Sequence, residues 1–149
     1  MEITRHFTVT TTIVHKNKVL LHFHKSLKKW LPVGGHIDRD ELPEEAAVRE
    51  AKEESGLDIE IYDPDKKVIF KKSKQLIRPS LITLHDINPY HQHIDFAYFA
   101  TAKTNKLKPK KNETKDLRWF SLKEVECLDM PEDAKIRALK AFGELGEEK

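Results

Sequence analysis

The sequence lacks the features that mark secreted and membrane proteins. It contains a single cysteine, Cys127, which excludes an internal disulfide. No apolar run approaches the roughly 20 residues that a helix needs to cross a bilayer. The first residues, Met1–His6, do not form the apolar segment of a signal peptide. These absences predict a cytoplasmic protein that makes no membrane contact.

Excess charge of one sign is also lacking. The 27 Lys and Arg residues nearly balance the 25 Asp and Glu residues, which leaves a formal net charge of +2. A charge this small gives no overall attraction to nucleic acid or to an anionic membrane. A helix-turn-helix or other DNA-reading motif is not evident either. The sequence therefore does not favour a DNA-binding protein.

The length and the patterning predict one mixed domain. A chain of 149 residues, 38% of them hydrophobic, can bury a core of its own. We expect residues 1–149 to form a single α+β domain with helices flanking a mixed sheet, and a frayed tail from about residue 143. The predicted strands are 7–15, 19–24, 57–61, 67–71, 76–84 and 94–101, the predicted helices are 43–55, one from Ser121 and 131–142, and 103–115 is a polar loop.

The predicted helix over residues 43–55 carries a cluster of acidic residues. Glu50, Glu53 and Glu54 stand at i, i+3 and i+4, so their carboxylates share one face. Glu53 and Glu54 also fall in the last turn before Gly56, where the helix dipole disfavours anions. A divalent cation would relieve this crowding, and clustered oxygen ligands favour Mg²⁺ or Mn²⁺. The alternative is a solvated acidic face that binds nothing.

The segment from Gly35 to Leu57 resembles the Nudix box. That pattern runs glycine, five residues, glutamate, seven residues, Arg-Glu, an aliphatic residue, one residue, Glu-Glu, one residue, glycine and an aliphatic residue. Its fixed identities are all present, as Gly35, Glu41, Arg49, Glu50, Glu53, Glu54 and Gly56. Ala51 is smaller than the usual aliphatic residue, which affects packing more than chemistry. Similarity in segments 30–35 and 117–122 extends the resemblance over about residues 7–142.

The Nudix resemblance implies an α/β/α sandwich and a pyrophosphohydrolase that depends on Mg²⁺ or Mn²⁺. By position, it assigns the metal ligands to Glu50, Glu53, Glu54 and the carbonyl of Gly35. Arg49 precedes Glu53 by four residues and can orient it, and Glu41 can pair with Arg49. Glu53 is the family-typical general base, and Asp95 and Glu113 are alternatives outside the box.

Other residues of the box have structural explanations. We expect the helix to pack on the sheet through its small apolar stripe of Ala47, Val48 and Ala51. Glycines 34, 35 and 56 are expected in tight turns or at positive φ.

His91, His93 and Asp95 alternate in the segment that leads into the predicted strand 94–101 and form a second region of interest. Alternation places their side chains on one face, where they can line a pocket, bind a phosphate or contact a base. Because His22 and His24 alternate in the same way, a zinc site is a minor alternative.

Lysines and aromatic residues give weaker indications. Lys25, with Lys28 and Lys29, lies just before the box and can reach phosphate oxygens, although a solvated loop is the alternative. The lysines of segment 106–115 can favour RNA ends, but a solvated loop explains them more simply. The aromatic residues that can stack on a base, although each also fits a core, are Phe23, Trp30, Tyr90 and Phe99.

Three functions remain as hypotheses. The preferred one is hydrolysis of a nucleoside diphosphate linked to another moiety, including oxidised or non-standard nucleoside triphosphates in a housecleaning role. The second is the same hydrolysis with a different substrate, which is an RNA 5′ end, a dinucleoside polyphosphate, a nucleotide sugar or ADP-ribose. The third is a catalytically silent nucleotide-sensing domain, which the intact Arg49-Glu50 and Glu53-Glu54 pairs disfavour. The expected partner is a nucleotide-derived small molecule, and a homodimer is left open.

Overall fold

The computed structural model describes residues 1–110 and 116–146. Within these residues, an eight-stranded mixed sheet is flanked by helices, which confirms the predicted α+β sandwich. The strands are β1 (Thr4–His15), β2 (Lys18–His24), β3 (Lys29–Leu31), β4 (Val33–His36), β5 (Ile59–Ile61), β6 (Leu81–Asn88), β7 (His91–Ala102) and β8 (Asp116–Ser121), and the helices are α1 (Pro43–Ser55), α2 (Leu122–Glu126) and α3 (Glu132–Leu145).

Parallel pairing of β1 with β7 forms the centre of the sheet. The path β3-β2-β1-β7-β5 is joined by β4 on β1, β6 on β7 and β8 on β2, and these pairings are antiparallel apart from β1 with β7. The parallel register places His6 beside His93 and Thr8 beside Asp95. Side chains that are distant in the sequence therefore meet at this central seam.

Two cores lie on opposite faces of the sheet. On one face, Val9 and Ile13 of β1 belong to clusters that include Ala46, Ala47 and Ala51 of α1. On the other face, α2 and α3 cover a cluster made of Val14, Val19, Leu21, Phe99, Phe120, Val125, Met130, Ala134, Ala138 and Ala141. Alanines at both helix contacts let the helices approach the sheet closely. None of the described helices combines the length and the apolar character that a membrane span requires.

The expected packing stripe of α1 is wrong at one position. Val48 is 42% exposed, whereas Ala46 is fully buried together with Ala47 and Ala51. Each residue of a helix is rotated by about 100° from the one before it, so the buried face runs through Ala46 and Ala47 and turns Val48 towards solvent.

The predicted strand at 67–71 is also wrong. This segment makes only an isolated bridge, between Ile69 and Lys74. Val68, Ile69 and Phe70 are each more than half exposed. Their composition favours a strand, but a strand also needs a neighbouring edge and a face to bury, and this segment has not paired with the sheet. The following strand, β6, begins at Leu81 rather than at residue 76.

The terminal helix extends beyond its predicted end. α3 continues to Leu145, three residues past Phe142, so residues 143–145 are helical rather than part of the expected tail. Gly143 lies inside the helix, and the N–H of Gly146 donates to the carbonyl of Phe142 at 2.9 Å. That bond closes the last turn, so the helix runs through Gly143.

Candidate active site

Local interactions fix both ends of α1. At the N-terminal end, Pro43 occupies the first turn and the carboxylate of Glu45 accepts from the N–H of Leu42 at 2.8 Å. At the C-terminal end, Gly56 adopts a left-handed φ of 79° and its N–H donates to the carbonyl of Lys52 at 2.9 Å. The helix that carries the acidic cluster is thus anchored on either side of it.

The polar loop after β7 docks onto the C-terminal end of α1. The N–H of Lys108 donates to the carbonyl of Ser55 at 2.7 Å, and the N–H of Lys110 donates to the carbonyl of Glu53 at 3.0 Å. A Cβ at Gly56 would collide with the backbone of Lys108, so this contact requires glycine as well. These bonds satisfy terminal helix carbonyls and fix the turn that holds Glu53.

Arg49 is the hub of the acidic cluster. Its guanidinium donates to both carboxylate oxygens of Glu41, at 2.6 and 2.9 Å. It also donates to Glu50 at 3.0 Å, to Glu53 at 3.4 Å and to the carbonyl of His36 at 3.1 Å. The predicted contacts of Arg49 with Glu41 and Glu53 are therefore present. The bond to Glu41 is the main cause that raises the pKa of Arg49 and lowers the pKa of Glu41.

The carboxylate of Glu50 lies directly against Gly35. A Cβ at Gly35 would fall on the carboxylate atoms of Glu50, so glycine leaves the room that this side chain occupies. Gly34 has a different reason to be glycine, because its Cβ would strike the backbone of Val9 and Thr10 on β1. Both glycines lie in strand β4 rather than in the tight turn or positive φ that we expected.

The three box carboxylates of α1 differ in exposure. Glu54 is buried at 3% exposure, Glu50 is largely buried, and the side chain of Glu53 is 31% exposed. The Nζ of Lys110 lies 3.7 Å from Glu53. Among the described residues, Arg49 contacts Glu41, Glu50 and Glu53, and Lys110 contacts Glu53. Clustered oxygen donors of this kind fit Mg²⁺ or Mn²⁺.

A cavity of about 580 Å³ opens on the other side of Gly35. Its apolar walls come from Leu27, Leu31, Pro32 and Ile87, and its polar walls include His24, His36, His85, Asp86 and His93. Thr8, Thr10, Asp95 and Arg137 line it as well. Gly35 therefore borders both the acidic cluster and a cavity large enough for a small organic ligand.

Asp95 and Arg137 form a buried ion pair in this cavity. Asp95 accepts from the hydroxyls of Thr8 and Thr10 at 2.8 and 2.6 Å, and from Arg137 at 3.2 Å. Arg137 also donates to Thr10 at 2.7 Å and to Asp133 at 2.6 Å. The carboxylate of Asp95 is thus held by three neighbours, which engage both of its oxygens.

Sequence reasoning missed Arg137 although its position carried a signal. Arg137 shares a helical face with Ala134, Ala138 and Ala141, which are all buried against the sheet. A charged residue in such a stripe needs a buried partner. The partner, Asp95, lies 42 positions earlier, and spacing alone could not identify it.

The structure groups His91 and His93 with His6 and His36. The Nε2 atoms of His91 and His93 are 3.1 Å apart, and the ring of His36 meets that of His93 with centroids 4.9 Å apart. His22 and His24, which suggested a zinc site as a minor alternative, lie on β2, two strands away from β7. The partner that sequence reasoning missed, His6, is brought to His93 by the parallel register.

The remaining predicted residues lie at the margins of the site. Lys25 is exposed in the turn between β2 and β3, next to the cavity residue His24. Lys29 forms an ion pair with Asp129 at 2.8 Å. Glu113 lies outside the described residues.

The four aromatic residues considered for base stacking occupy different settings. Phe99 is buried in the core between the sheet and α3. Trp30 packs edge-on against Phe120 and Phe23, with ring centroids 4.8 and 5.3 Å apart. Tyr90 is half exposed in the turn between β6 and β7. Core packing therefore explains the position of Phe99 and most of the ring contacts of Trp30.

Comparisons with known proteins identify the family. A family model described as NUDIX domain matches residues 4–142. A solved Nudix-family hydrolase from Clostridium perfringens is 42% identical to this chain, and the match covers 96% of this chain and 99% of that one with a TM-score of 0.84.

Two further solved structures support the fold alone, because their identities are low. The Nudix domain of Shewanella oneidensis NrtR, in complex with ADP ribose, is 19% identical over 95% of this chain and 89% of that one, with a TM-score of 0.69. The C. elegans Ap4A hydrolase is 17% identical over 93% of this chain and 98% of that one, with a TM-score of 0.66.

The family model and the close structural match agree with the geometry of the box. Nudix hydrolases generally use divalent metal ions, which is consistent with the carboxylate cluster on α1. The chain belongs to the Nudix family and is a hydrolase that acts on pyrophosphate bonds.

Proposed function

We propose that the chain is a Mg²⁺- or Mn²⁺-dependent pyrophosphohydrolase that cleaves a nucleoside diphosphate linked to another moiety. One observation carries this proposal: Gly35 touches the carboxylate of Glu50 on one side and lines the 580 Å³ cavity on the other. A diphosphate at Gly35 would therefore lie against the acidic cluster while its organic part enters the cavity.

In this proposal, the ion is held by Glu50, Glu53, Glu54 and the carbonyl of Gly35. When bound, a divalent ion neutralises phosphate oxygens and lowers the pKa of a water molecule that attacks phosphorus. Arg49 positions the carboxylates, since it contacts both Glu50 and Glu53 while Glu41 holds its guanidinium from the other side.

Glu53 is the proposed general base. Its side chain is the most exposed of the three box carboxylates Glu50, Glu53 and Glu54, and its bond to Arg49 is the longest of the hydrogen bonds that Arg49 makes, at 3.4 Å. Asp95 is less suited to this role because Thr8, Thr10 and Arg137 already engage its oxygens. We propose that Asp95 instead shapes the wall of the cavity that receives the substrate.

The cavity supports a nucleotide-derived substrate of moderate size. Its volume lies within the roughly 300–1,000 Å³ that is typical of small-molecule sites, and its walls combine apolar side chains with histidines. We propose that His93 contacts the substrate there, and that Lys25, at the adjacent turn, contacts its phosphates. A nucleoside triphosphate or an oxidised nucleotide is the preferred substrate. ADP-ribose is the second choice, since a Nudix domain of the same fold binds it.

A substrate panel with matched variants tests this proposal. Phosphate and pyrophosphate release is measured with Mg²⁺ or Mn²⁺ from nucleoside triphosphates, oxidised nucleotides, ADP-ribose, nucleotide sugars, dinucleoside polyphosphates and capped RNA. We expect turnover of one class to fall by about 10² or more in Glu53→Gln. The control is Glu60→Gln, because Glu60 is an exposed glutamate on β5.

Each outcome of the panel has a defined meaning. Loss of turnover in Glu53→Gln but not in Glu60→Gln supports the proposed base and identifies the substrate class. Tight nucleotide binding without turnover of any class would instead support the silent sensor. The cytoplasmic location and the homodimer stay predictions.

A further inference from the structure

A cluster of histidines lies beside the cavity and is separate from the Nudix box. His6, His91 and His93 each offer a ring nitrogen, and these three atoms lie within 4.8 Å of one another. The cluster is formed by the parallel register of β1 and β7, which places His6 beside His93. His36 of β4 joins it, with ring centroids 4.9 Å from His93 and 5.6 Å from His6.

The ring of His91 is oriented as a metal ligand would be. Its Nδ1 lies 3.1 Å from the carbonyl of Thr4, to which the Nδ1–H donates. That bond leaves the lone pair of Nε2 pointing towards the Nε2 of His93, 3.1 Å away. A histidine ligand characteristically has one ring nitrogen fixed in this way by a carbonyl while the other binds the metal.

The separation of the ring nitrogens also suits a metal. Zinc–nitrogen bonds of about 2.0–2.1 Å in a tetrahedron place neighbouring ligand atoms roughly 3.3 Å apart. The distance between His91 and His93 is already close to this value. His6 is exposed, so its ring can rotate to close the remaining gap.

The chemistry of this cluster differs from that of the box. Imidazole nitrogens favour Zn²⁺ and related transition metals, whereas the carboxylates of α1 favour Mg²⁺ or Mn²⁺. Burial is the main cause that lowers the pKa of His93, and the neighbouring histidines 36, 91 and 6 add to it.

We propose that His6, His91 and His93 form a second metal site, which binds one Zn²⁺-class divalent ion. The site lies between two cavities, each of about 580 Å³, since His93 lines one, His6 lines the other, and His36 lines both. The competing explanation is that His91 and His93 share only an N–H···N hydrogen bond and bind no metal.

A Co²⁺ titration distinguishes these explanations without relying on activity. Co²⁺ replaces Zn²⁺ at nitrogen sites and absorbs visible light when bound, and Zn²⁺ affinity follows from competition with a chromophoric chelator. We expect one ion per wild-type chain to bind at the histidine site, in addition to any ion held by the box carboxylates. Binding should weaken at least about 10-fold in His6→Asn and in His91→Asn, because each change removes a ligand.

Two control variants make the titration specific. His15→Asn alters a histidine at the other end of β1 whose Nδ1 also bonds a backbone carbonyl, that of Ala102. Glu53→Gln alters the box cluster. Neither should change Co²⁺ affinity for the histidine site.

Three results would overturn the proposal. They are the absence of stoichiometric binding in the wild type, unchanged affinity in the two histidine variants, and loss of binding in Glu53→Gln instead. If His91→Asn does not fold, as judged by circular dichroism, the exposed position of His6 keeps the test decisive.

Discussion

Two arginine–carboxylate clusters among the described residues, one around Arg49 and one around Arg137, differ in how their members are spaced in the sequence and in how deeply they are buried. Arg49 and its partners Glu41, Glu50 and Glu53 come from one short stretch of sequence, and the Arg49 side chain is 29% exposed. Arg137 and Asp95 come from α3 and β7, and their side chains are 5% and 4% exposed.

The two clusters differ in burial, and this difference determines whether their carboxylates can exchange an arginine contact for a bound cation. Partly exposed ion pairs are weak, so the carboxylates around Arg49 can exchange some of their contacts for a cation. The buried pair cannot do so, because separating it would leave an uncompensated charge in the protein interior. We therefore infer that the Arg49 cluster serves chemistry and that the Asp95–Arg137 pair fixes the shape of the cavity.

Removal of the buried arginine should give the largest effect on stability. We expect Arg137→Met to lower the free energy of unfolding by about 3–5 kcal/mol, because it leaves Asp95 without its cation. Urea denaturation measures the change. Arg118→Met is the matched control, since Arg118 pairs with Asp116 at the exposed surface and should lose less than about 1 kcal/mol. Equal losses in the two variants would contradict the comparison.

Substitutions at the adjacent residues Gly34 and Gly35 distinguish an effect on the acidic cluster from an effect on the stability of the fold. In Gly35→Ala, the atoms nearest to the new Cβ are those of the Glu50 carboxylate, so activity should fall roughly 10–100-fold with little loss of stability. In Gly34→Ala, the Cβ meets the backbone of β1, and the cost should be about 1–3 kcal/mol of stability. Activity assays and thermal unfolding of both variants check this. The reverse pattern would show that Gly35 has a structural rather than a chemical role.

The geometry of the arginine hub should matter more than its charge. Arg49→Lys keeps the charge but loses the bidentate bond to Glu41, so we expect activity to fall about 10-fold while stability changes by less than about 1 kcal/mol. Arg78→Lys is the control, because Arg78 makes a similar bidentate bond to Asp65 on the surface. Full activity in Arg49→Lys would mean that charge alone suffices.

The smallest effect concerns the dependence of stability on acid. Arg49 lowers the pKa of Glu41 from its ordinary value of 4.5, so folding favours the ionised form. The contribution to stability is therefore present above about pH 4.5 and is lost as the pH falls through the lowered folded-state pKa. We expect the wild type to exceed Glu41→Gln in unfolding free energy at pH 7 and to lose this advantage in acid. If the stability advantage of the wild type over Glu41→Gln instead grew as the pH fell, this prediction would be contradicted.

The part of the site that could be predicted is the part whose residues lie close together in the sequence. The box cluster could be predicted because helix geometry relates Arg49, Glu50 and Glu53 through spacing alone, and the contact of Arg49 with Glu53 follows that spacing. Glu41 lies in the loop before α1, and its contact with Arg49 was expected from the Nudix resemblance. The sandwich fold could be predicted too, since most strands and the main helices lie close to the positions that the hydrophobic pattern of the sequence predicts.

The parts that escaped prediction depend on long-range pairing. His6 meets His93 only because β1 and β7 pair in parallel in one particular register. The same register places Thr8 beside Asp95, and α3 then brings Arg137 to that carboxylate. The prediction of a strand at 67–71 was wrong because composition does not show whether a neighbouring strand is available for pairing. This segment has a composition typical of a strand but makes only an isolated bridge.

The most direct test of the account is the affinity of the box for Mn²⁺. Mn²⁺ binding is followed by electron paramagnetic resonance in the wild type, in Glu53→Gln and in His91→Asn. If the carboxylates of α1 form the metal site, affinity should fall at least about 10-fold in Glu53→Gln and stay unchanged in His91→Asn. Unchanged affinity in Glu53→Gln would contradict the central claim that this cluster holds the metal ion of a pyrophosphate hydrolase.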